Sequence, residues 1–160
     1  HLVAMTGNAD GNDSLLGHVN SALIHTQRGA TVLLQFDGTT PRPYSRLQTV
    51  CGTLGFVQKY PLPLVQTADG LREGEHAEAF MKRHLQTTGG KLWKQGHLLG
   101  VENEMNYAMD RRLIYCLQRG LPLDIDVYDA AEWSCLADLT RQSAKGCGQM
   151  VKIPDFTIST

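Results

Sequence analysis

The stretch Gly120-Leu121-Pro122-Leu123-Asp124-Ile125-Asp126-Val127-Tyr128-Asp129-Ala130-Ala131-Glu132-Trp133 holds the end of one helix, a short extended crossing and the start of another. Glycine takes the left-handed backbone past a last helical turn most readily, so Gly120 is the expected stop. Asp126 is placed to accept the free amide hydrogens of the next helix, and Asp129 adds negative charge to its first turn. Before the stop, Met105, Met109, Leu113 and Leu117 recur every fourth residue, which predicts a helix over 101–119. After the cap, Ala130, Ala131, Leu136 and Ala137 accompany Trp133 in a second helix over 127–144. Residues 150–156 read as extended.

Working toward the N-terminus, the pattern changes from helix to strand. Leu2-Val3-Ala4-Met5 reads as a strand already under way, and the expectation is that the chain is a fragment of a longer protein. Residues 19–36 read as a β-hairpin, with Gln27-Arg28-Gly29 as its turn. Residues 37–43 form a loop by composition. A third strand is expected over 46–51, with Leu47, Thr49 and Cys51 on one face. Gly52-Thr53-Leu54-Gly55 then turns into a fourth over 56–60, ended by Pro61 and Pro63. Residues 64–100 look least regular. A helix is expected over 75–86, carrying Ala77, Phe80, Met81 and His84, with Thr87-Thr88-Gly89-Gly90 breaking it. Strands first and helices after predict an α+β fold: an open, mostly antiparallel sheet with helices on one face, in a single domain over 1–160.

A chain of 160 residues with 42% hydrophobic content can bury one proper core. The formal charge of −1, with no run of Lys and Arg, argues against a nucleic-acid partner. No apolar run is long enough to span a membrane. Cys51, Cys116, Cys135 and Cys147 form no C-x-x-C pair and read as small hydrophobes, Cys51 in a strand and Cys116 and Cys135 in helices. Asp124, Asp126 and Asp129 are accounted for by alternation and capping rather than a metal. His18, His25, His76, His84 and His97 lack ligand spacing. Gly52-Thr53-Leu54-Gly55 is too short for a dinucleotide fingerprint and lies between two strands, so this chain is not expected to bind a dinucleotide by itself.

Several segments, in order, resemble one family. They are Leu2 to Met5, Thr40-Pro41-Arg42-Pro43-Tyr44-Ser45-Arg46-Leu47, Gly52 to Gly55 with Lys59-Tyr60-Pro61, Met105 to Gly120 with Arg112-Leu113-Ile114-Tyr115-Cys116-Leu117, and Leu121 to Trp133 with Pro154-Asp155-Phe156-Thr157. Together they resemble the NAD-dependent glycosidases of glycoside hydrolase family 109, α-N-acetylgalactosaminidase-like members of the Gfo/Idh/MocA superfamily. The resemblance implies the C-terminal half of such an enzyme, a dihydrodipicolinate-reductase-like domain that forms one wall of the sugar site and often an oligomer interface. It also implies an N-terminal Rossmann domain, absent from this chain, that holds NAD. The implied chemistry is transient oxidation at the sugar C3, elimination of the C1 group, addition of water and re-reduction, rather than the paired-carboxylate route. The family's base histidine would lie upstream of residue 1. In one place the pattern departs: where the family usually has Gly-His-Gly-Gly then Met-Asp, this chain has Val101-Glu102-Asn103-Glu104 then Met105-Asn106, and His97 falls a few residues early.

The candidate substrate-binding residues are Tyr60, Arg42, Tyr44, Glu102 and Glu104. Tyr60 stands at a strand end where the resembled family has a substrate-contacting tyrosine; its ring can stack on a sugar and its hydroxyl can bond to it. Arg42 and Tyr44 sit in a loop stiffened by Pro41 and Pro43. Glu102 and Glu104 precede a helix and can accept bonds from sugar hydroxyls, although carboxylates also favour a first helical turn for electrostatic reasons. The alternatives are a sugar dehydrogenase or epimerase of the same superfamily, and a dimerisation module without turnover. Bare apolar strand faces further predict a homo-oligomer.

Overall fold

The computed structural model describes residues 1–7, 18–46, 48–84 and 87–156. They form two antiparallel sheets and four helices in two compact units, His1–Arg42 with Asp124–Thr160, and Pro43–Leu123. The α+β class is as expected, but the strands divide between a three-stranded and a four-stranded sheet rather than forming one.

In the first unit, β1 (Leu2–Gly7), β2 (Val19–His25) and β3 (Thr31–Asp37) lie side by side in that order, all antiparallel. The β2–β3 turn closes as its composition dictates, with Gly29 at φ 83° and the Ala30 amide donating to Thr26 Oγ1. Alternation along β1 and β2 puts Leu2, Ala4, Ala22 and Ile24 on one face, where Leu136 of α4 (Val127–Lys145) and Ile153 pack on them. Asn20, buried on that face, donates from Nδ2 to Thr6 Oγ1. Val151 pairs with Leu2 at the free edge of β1, which agrees with an extended C-terminal stretch. The start of α4 is the expected one: Asp126 accepts from the amides of Tyr128 and Asp129, while Asp129 accepts from the amide of Asp126.

In the second unit, β4 (Thr49–Gly52), β5 (Gly55–Gln58), β6 (Leu64–Thr67) and β7 (Gly70–Glu73) form a meander. Helix α1 (Gly74–His84) packs on β6 and β7, burying Val65 and Ala77 and laying the Arg72 guanidinium 4.5 Å from the Phe80 ring centroid. Helix α2 (Thr88–Leu98) packs on α3 (Glu104–Arg119). Gly120, at φ 62° and ψ 30°, ends α3 by donating its amide to the carbonyls of Cys116 and Leu117.

Three expectations need correction. Residues 64–100 are regular, holding β6, β7, α1 and α2. Thr87-Thr88-Gly89-Gly90 does not only follow the end of α1 but opens a new helix: the Thr87 hydroxyl accepts from the Gly90 amide, and both glycines fall in the first turn. Cys51 is exposed and only Cys116 is fully buried, because β4 presents both its faces to solvent. Leu47 and residues 85–86 and 157–160 lie outside the described residues, so the expected face partner of Thr49 and the end of the 75–86 helix do too.

Candidate functional site

The best-formed polar cluster is built on the α2–α3 hairpin. Helix α2 ends in a tight reversal: the Gly100 amide donates to His97 O, the Val101 amide to Gly96 O, and Gly100 takes φ 67°. Asn103 then starts α3, its side chain accepting from the Asn106 amide at 2.9 Å. Close approach of the two helices depends on Gly96. A Cβ there would stand 2.9 Å from Tyr107 Cδ1 and 3.2 Å from Val101 Cγ2.

That reversal brings the last turn of α2 against the first turn of α3, and His97 Nδ1 meets Glu104 Oε1 at 3.0 Å. An ionised carboxylate only accepts, so Nδ1 carries the proton and donates it. The bond to His97, followed by the amide at the head of α3, holds the Glu104 carboxyl below its ordinary value. Trp93, one turn before His97 on α2, stacks on the imidazole with centroids 5.6 Å apart and planes 3° apart.

The expected residues are distributed more widely. Tyr60 lies in a bend two residues beyond β5, which ends at Gln58; it is half-buried, joined to Pro61 by a cis peptide, with Lys59 Nζ 5.4 Å from its ring centroid. Its hydroxyl has no hydrogen-bond partner among the described residues. Tyr44 is exposed, with the Arg46 guanidinium 5.8 Å from its ring centroid. Glu102 is exposed in the turn before α3. Arg42 is engaged within its own loop: Nε lies 2.8 Å from Asp37 Oδ2, and Nη2 donates to Asp37 O at 3.3 Å. The Thr40 hydroxyl, the amides of Thr40 and Thr39, and Arg42 together hold the Asp37 carboxyl below its ordinary value. Among the described residues of the second unit, no hydrogen bond, ion pair or ring contact joins Tyr60 or Tyr44 to Glu102 or Glu104. Of the five, Arg42 is tied up with Asp37 in its own loop, and Glu104 is bonded to His97, on which Trp93 stacks.

Sequence reasoning did not connect those partners. His97 and Glu104 are seven residues apart across a reversal, and 64–100 read as irregular. The available signal was the four-residue spacing of Trp93 and His97 followed by Gly100.

The N-termini of the described helices are already capped or carry negative charge. Thr87, Asn103 and Asp126 already cap α2, α3 and α4, and Glu75, Glu104 and Asp129 place negative charge in the first turns of α1, α3 and α4. Asp126 and Asp129, suggestive of a metal cluster by eye, are committed to amide hydrogens. Among the described residues no helix is long and apolar enough to cross a membrane.

Comparison with known proteins gives a consistent answer. Residues 7–160 match the family model described as glycosyl hydrolase 109, C-terminal domain. The chain is 51% identical over 145 residues to "Glycosyl hydrolase family 109 protein 2" of Phocaeicola vulgatus, covering 89% of this chain and 35% of the relative. It is 51% identical over 146 residues to "Alpha-N-acetylgalactosaminidase" of Bacteroides fragilis, with shares of 89% and 34%. A protein of the same family from Porphyromonas gingivalis is 40% identical over 158 residues, with shares of 88% and 34%. The chain thus spans about a third of the length of these relatives. It belongs to glycosyl hydrolase family 109 and carries that family's C-terminal domain.

Proposed function

We propose that this chain is the substrate-side part of an NAD-dependent glycosidase of the Gfo/Idh/MocA superfamily that acts on α-N-acetylgalactosaminides. The observation that carries the reading is the 51% identity to a protein named alpha-N-acetylgalactosaminidase. Tyr60, Arg42, Tyr44, Glu102 and Glu104 are its proposed sugar contacts. Tyr60 suits the role best on chemistry, with a half-buried ring and an uncommitted hydroxyl. Arg42 has two of its nitrogens engaged by Asp37, so its share is the outer guanidinium edge. The nicotinamide cofactor is assigned to a Rossmann part of the whole protein and not to this chain, whose described helix N-termini are already capped or carry negative charge.

The test is release of 4-nitrophenol from its α-N-acetylgalactosaminide by the complete protein, with and without NAD. Tyr60→Phe should cut turnover by roughly tenfold, the loss of about one hydrogen bond, and leave cofactor retention unchanged. If turnover holds and only thermal stability falls, Tyr60 is structural. One observation favours a second reading, a sugar dehydrogenase: the run Val101-Glu102-Asn103-Glu104 where the family usually has Gly-His-Gly-Gly. Net reduction of NAD by a free sugar, without glycoside cleavage, would select it.

We also propose a homo-oligomer. Val3, Leu23 and Leu33 form one cross-strand row on the sheet face away from α4, and all three are exposed, Leu33 by 74%. Light scattering of the complete protein at tens of micromolar should give at least a dimer, and a monomer would refute the interface.

A further inference from the structure

Trp93 and His97 present a stepped aromatic surface that stays open among the described residues. Their rings are parallel to within 3°, yet their centroids stand 5.6 Å apart. Parallel rings in contact are roughly 3.5–4 Å apart, so this pair is offset and forms a stepped shelf. Both rings remain open, with 44% of Trp93 and 66% of the His97 side chain exposed. The shelf is also rigidly mounted. Four-residue spacing aligns the two rings on α2, Gly96 fixes α2 against α3, and Glu104 holds the imidazole through Nδ1 at 3.0 Å.

Polar groups stand at the edge of this apolar surface. With Nδ1 donating to Glu104, the neutral imidazole leaves Nε2 as an acceptor. Glu104 Oε2 is a second acceptor, on a carboxylate that is partly open to solvent. Two acceptors beside an aromatic plane suit a ligand with one C–H face and several hydroxyls. A galacto-configured pyranose has this form: its axial O4 leaves the hydrogens on C3, C4 and C5 together on one face.

We propose that Trp93, His97 and Glu104 form a binding shelf for a galacto-configured sugar ring. The ring's C–H face lies on the indole and imidazole, and hydroxyls donate to Glu104 Oε2 and His97 Nε2. The proposal deepens the glycosidase reading, on which it rests for its choice of sugar. It adds Trp93 and His97 to the residues that select substrate.

The chain has two tryptophans, Trp93 and Trp133, so a Trp133→Phe background leaves Trp93 as the sole indole reporter. The full 160-residue chain is titrated with methyl α-galactoside and, in parallel, with methyl α-glucoside, whose O4 is equatorial. The expected result is a saturable change in Trp93 emission in the millimolar range with the galactoside and a weaker one with the glucoside. Glu104→Gln, which keeps the shape of the side chain, should weaken galactoside binding by about tenfold or more, the loss of one charge-assisted hydrogen bond. No saturable change up to the hundred-millimolar range overturns the proposal, as does equal response to both sugars or no effect of Glu104→Gln. If the complete protein cleaves the nitrophenyl glycoside while Trp93 is silent, the shelf fails and the glycosidase reading stands. Response of Trp93 without cleavage supports the shelf and sinks the glycosidase reading.

Discussion

Ser143 offers a sharp test of how the first unit is held together. Leu2 and Val151 exchange both backbone hydrogen bonds, each 2.8 Å. In an antiparallel ladder hydrogen-bonded pairs recur at every second residue, so the next pair would be Ala4 with Gln149. The fully buried Ser143 hydroxyl occupies that place, accepting from the Ala4 amide at 2.8 Å and donating to Gln149 O at 2.6 Å. It relays the ladder from β1 to the strand segment while tying both to α4. Ser143→Ala removes the relay. Gln149 is exposed, so its carbonyl can turn to water, but Ala4 is buried and its amide cannot. The cost is therefore mainly one unsatisfied buried donor, about 1–3 kcal/mol. At about 2 kcal/mol a chain of this length should lose roughly 4–8 °C in melting temperature. Circular dichroism gives the melt, and amide exchange at Ala4 localises the effect, with exposed Ser134→Ala on the same helix as control. A melt shifted no more than the control, with Ala4 protection unchanged, would refute the relay.

Two other outcomes follow from the second unit and the Asp37 loop. Gly96→Ala adds a methyl 2.9 Å from Tyr107 Cδ1. Its helix-propensity gain is outweighed by overpacking, for a net loss of about 1 kcal/mol, with the His97 ring resonances shifting as the hairpin opens. Asp37 and Glu104 have carboxyls held below their ordinary values, so both bind protons less readily folded than unfolded. Their contribution should be complete above about pH 5 and lost as pH falls through and below the ordinary carboxylate range near ~4. A Glu104→Gln, Asp37→Asn double variant should flatten that acid limb of melting temperature against pH, and an unchanged slope would count against it.

Features determined by a few neighbouring residues were legible in the sequence. The Gly120 stop, the Asp126 cap, the Gly29 turn and the periodic helix before Gly120 were all readable, because each is decided within about one turn of chain. The expected start of that helix at 101 was early, since Asn103 caps it and fixes Glu104 as its first residue. The hairpin of β6 and β7 was missed because four-residue strands carry too short an alternation to stand out. Helix α2 was missed because Thr87 and its two glycines resemble a breaker as much as a cap. The Trp93–His97–Glu104 cluster went with it, since only a helix brings those side chains together. The division of the strands into two sheets was illegible for a different reason: alternation fixes a strand's faces, not its neighbours.

Strand β3 shows what a local reading misses from another side. Its register continues both faces of the sheet, with Val32, Leu34 and Phe36 beside Ile24, Ala22 and Asn20, and Leu33 beside Leu23 on the other face. A helix with its side chains is about 10–12 Å across and strands stand about 4.8 Å apart, so one helix covers about two strands. Helix α4 packs over β1, and the buried residues of that face lie on β1 and β2. The apolar side chains of β3 consequently stay open on both faces. The strand carries Val32, Leu34 and Phe36 on the face shared with α4, and Leu33 among Thr31, Gln35 and Asp37 on the other. The face shared with α4 thus calls for a cover that one helix does not supply, and the Val3–Leu23–Leu33 row leaves a narrower apolar strip on the other. That requirement, and not the helical half of the unit, is the physical ground for the proposed oligomer.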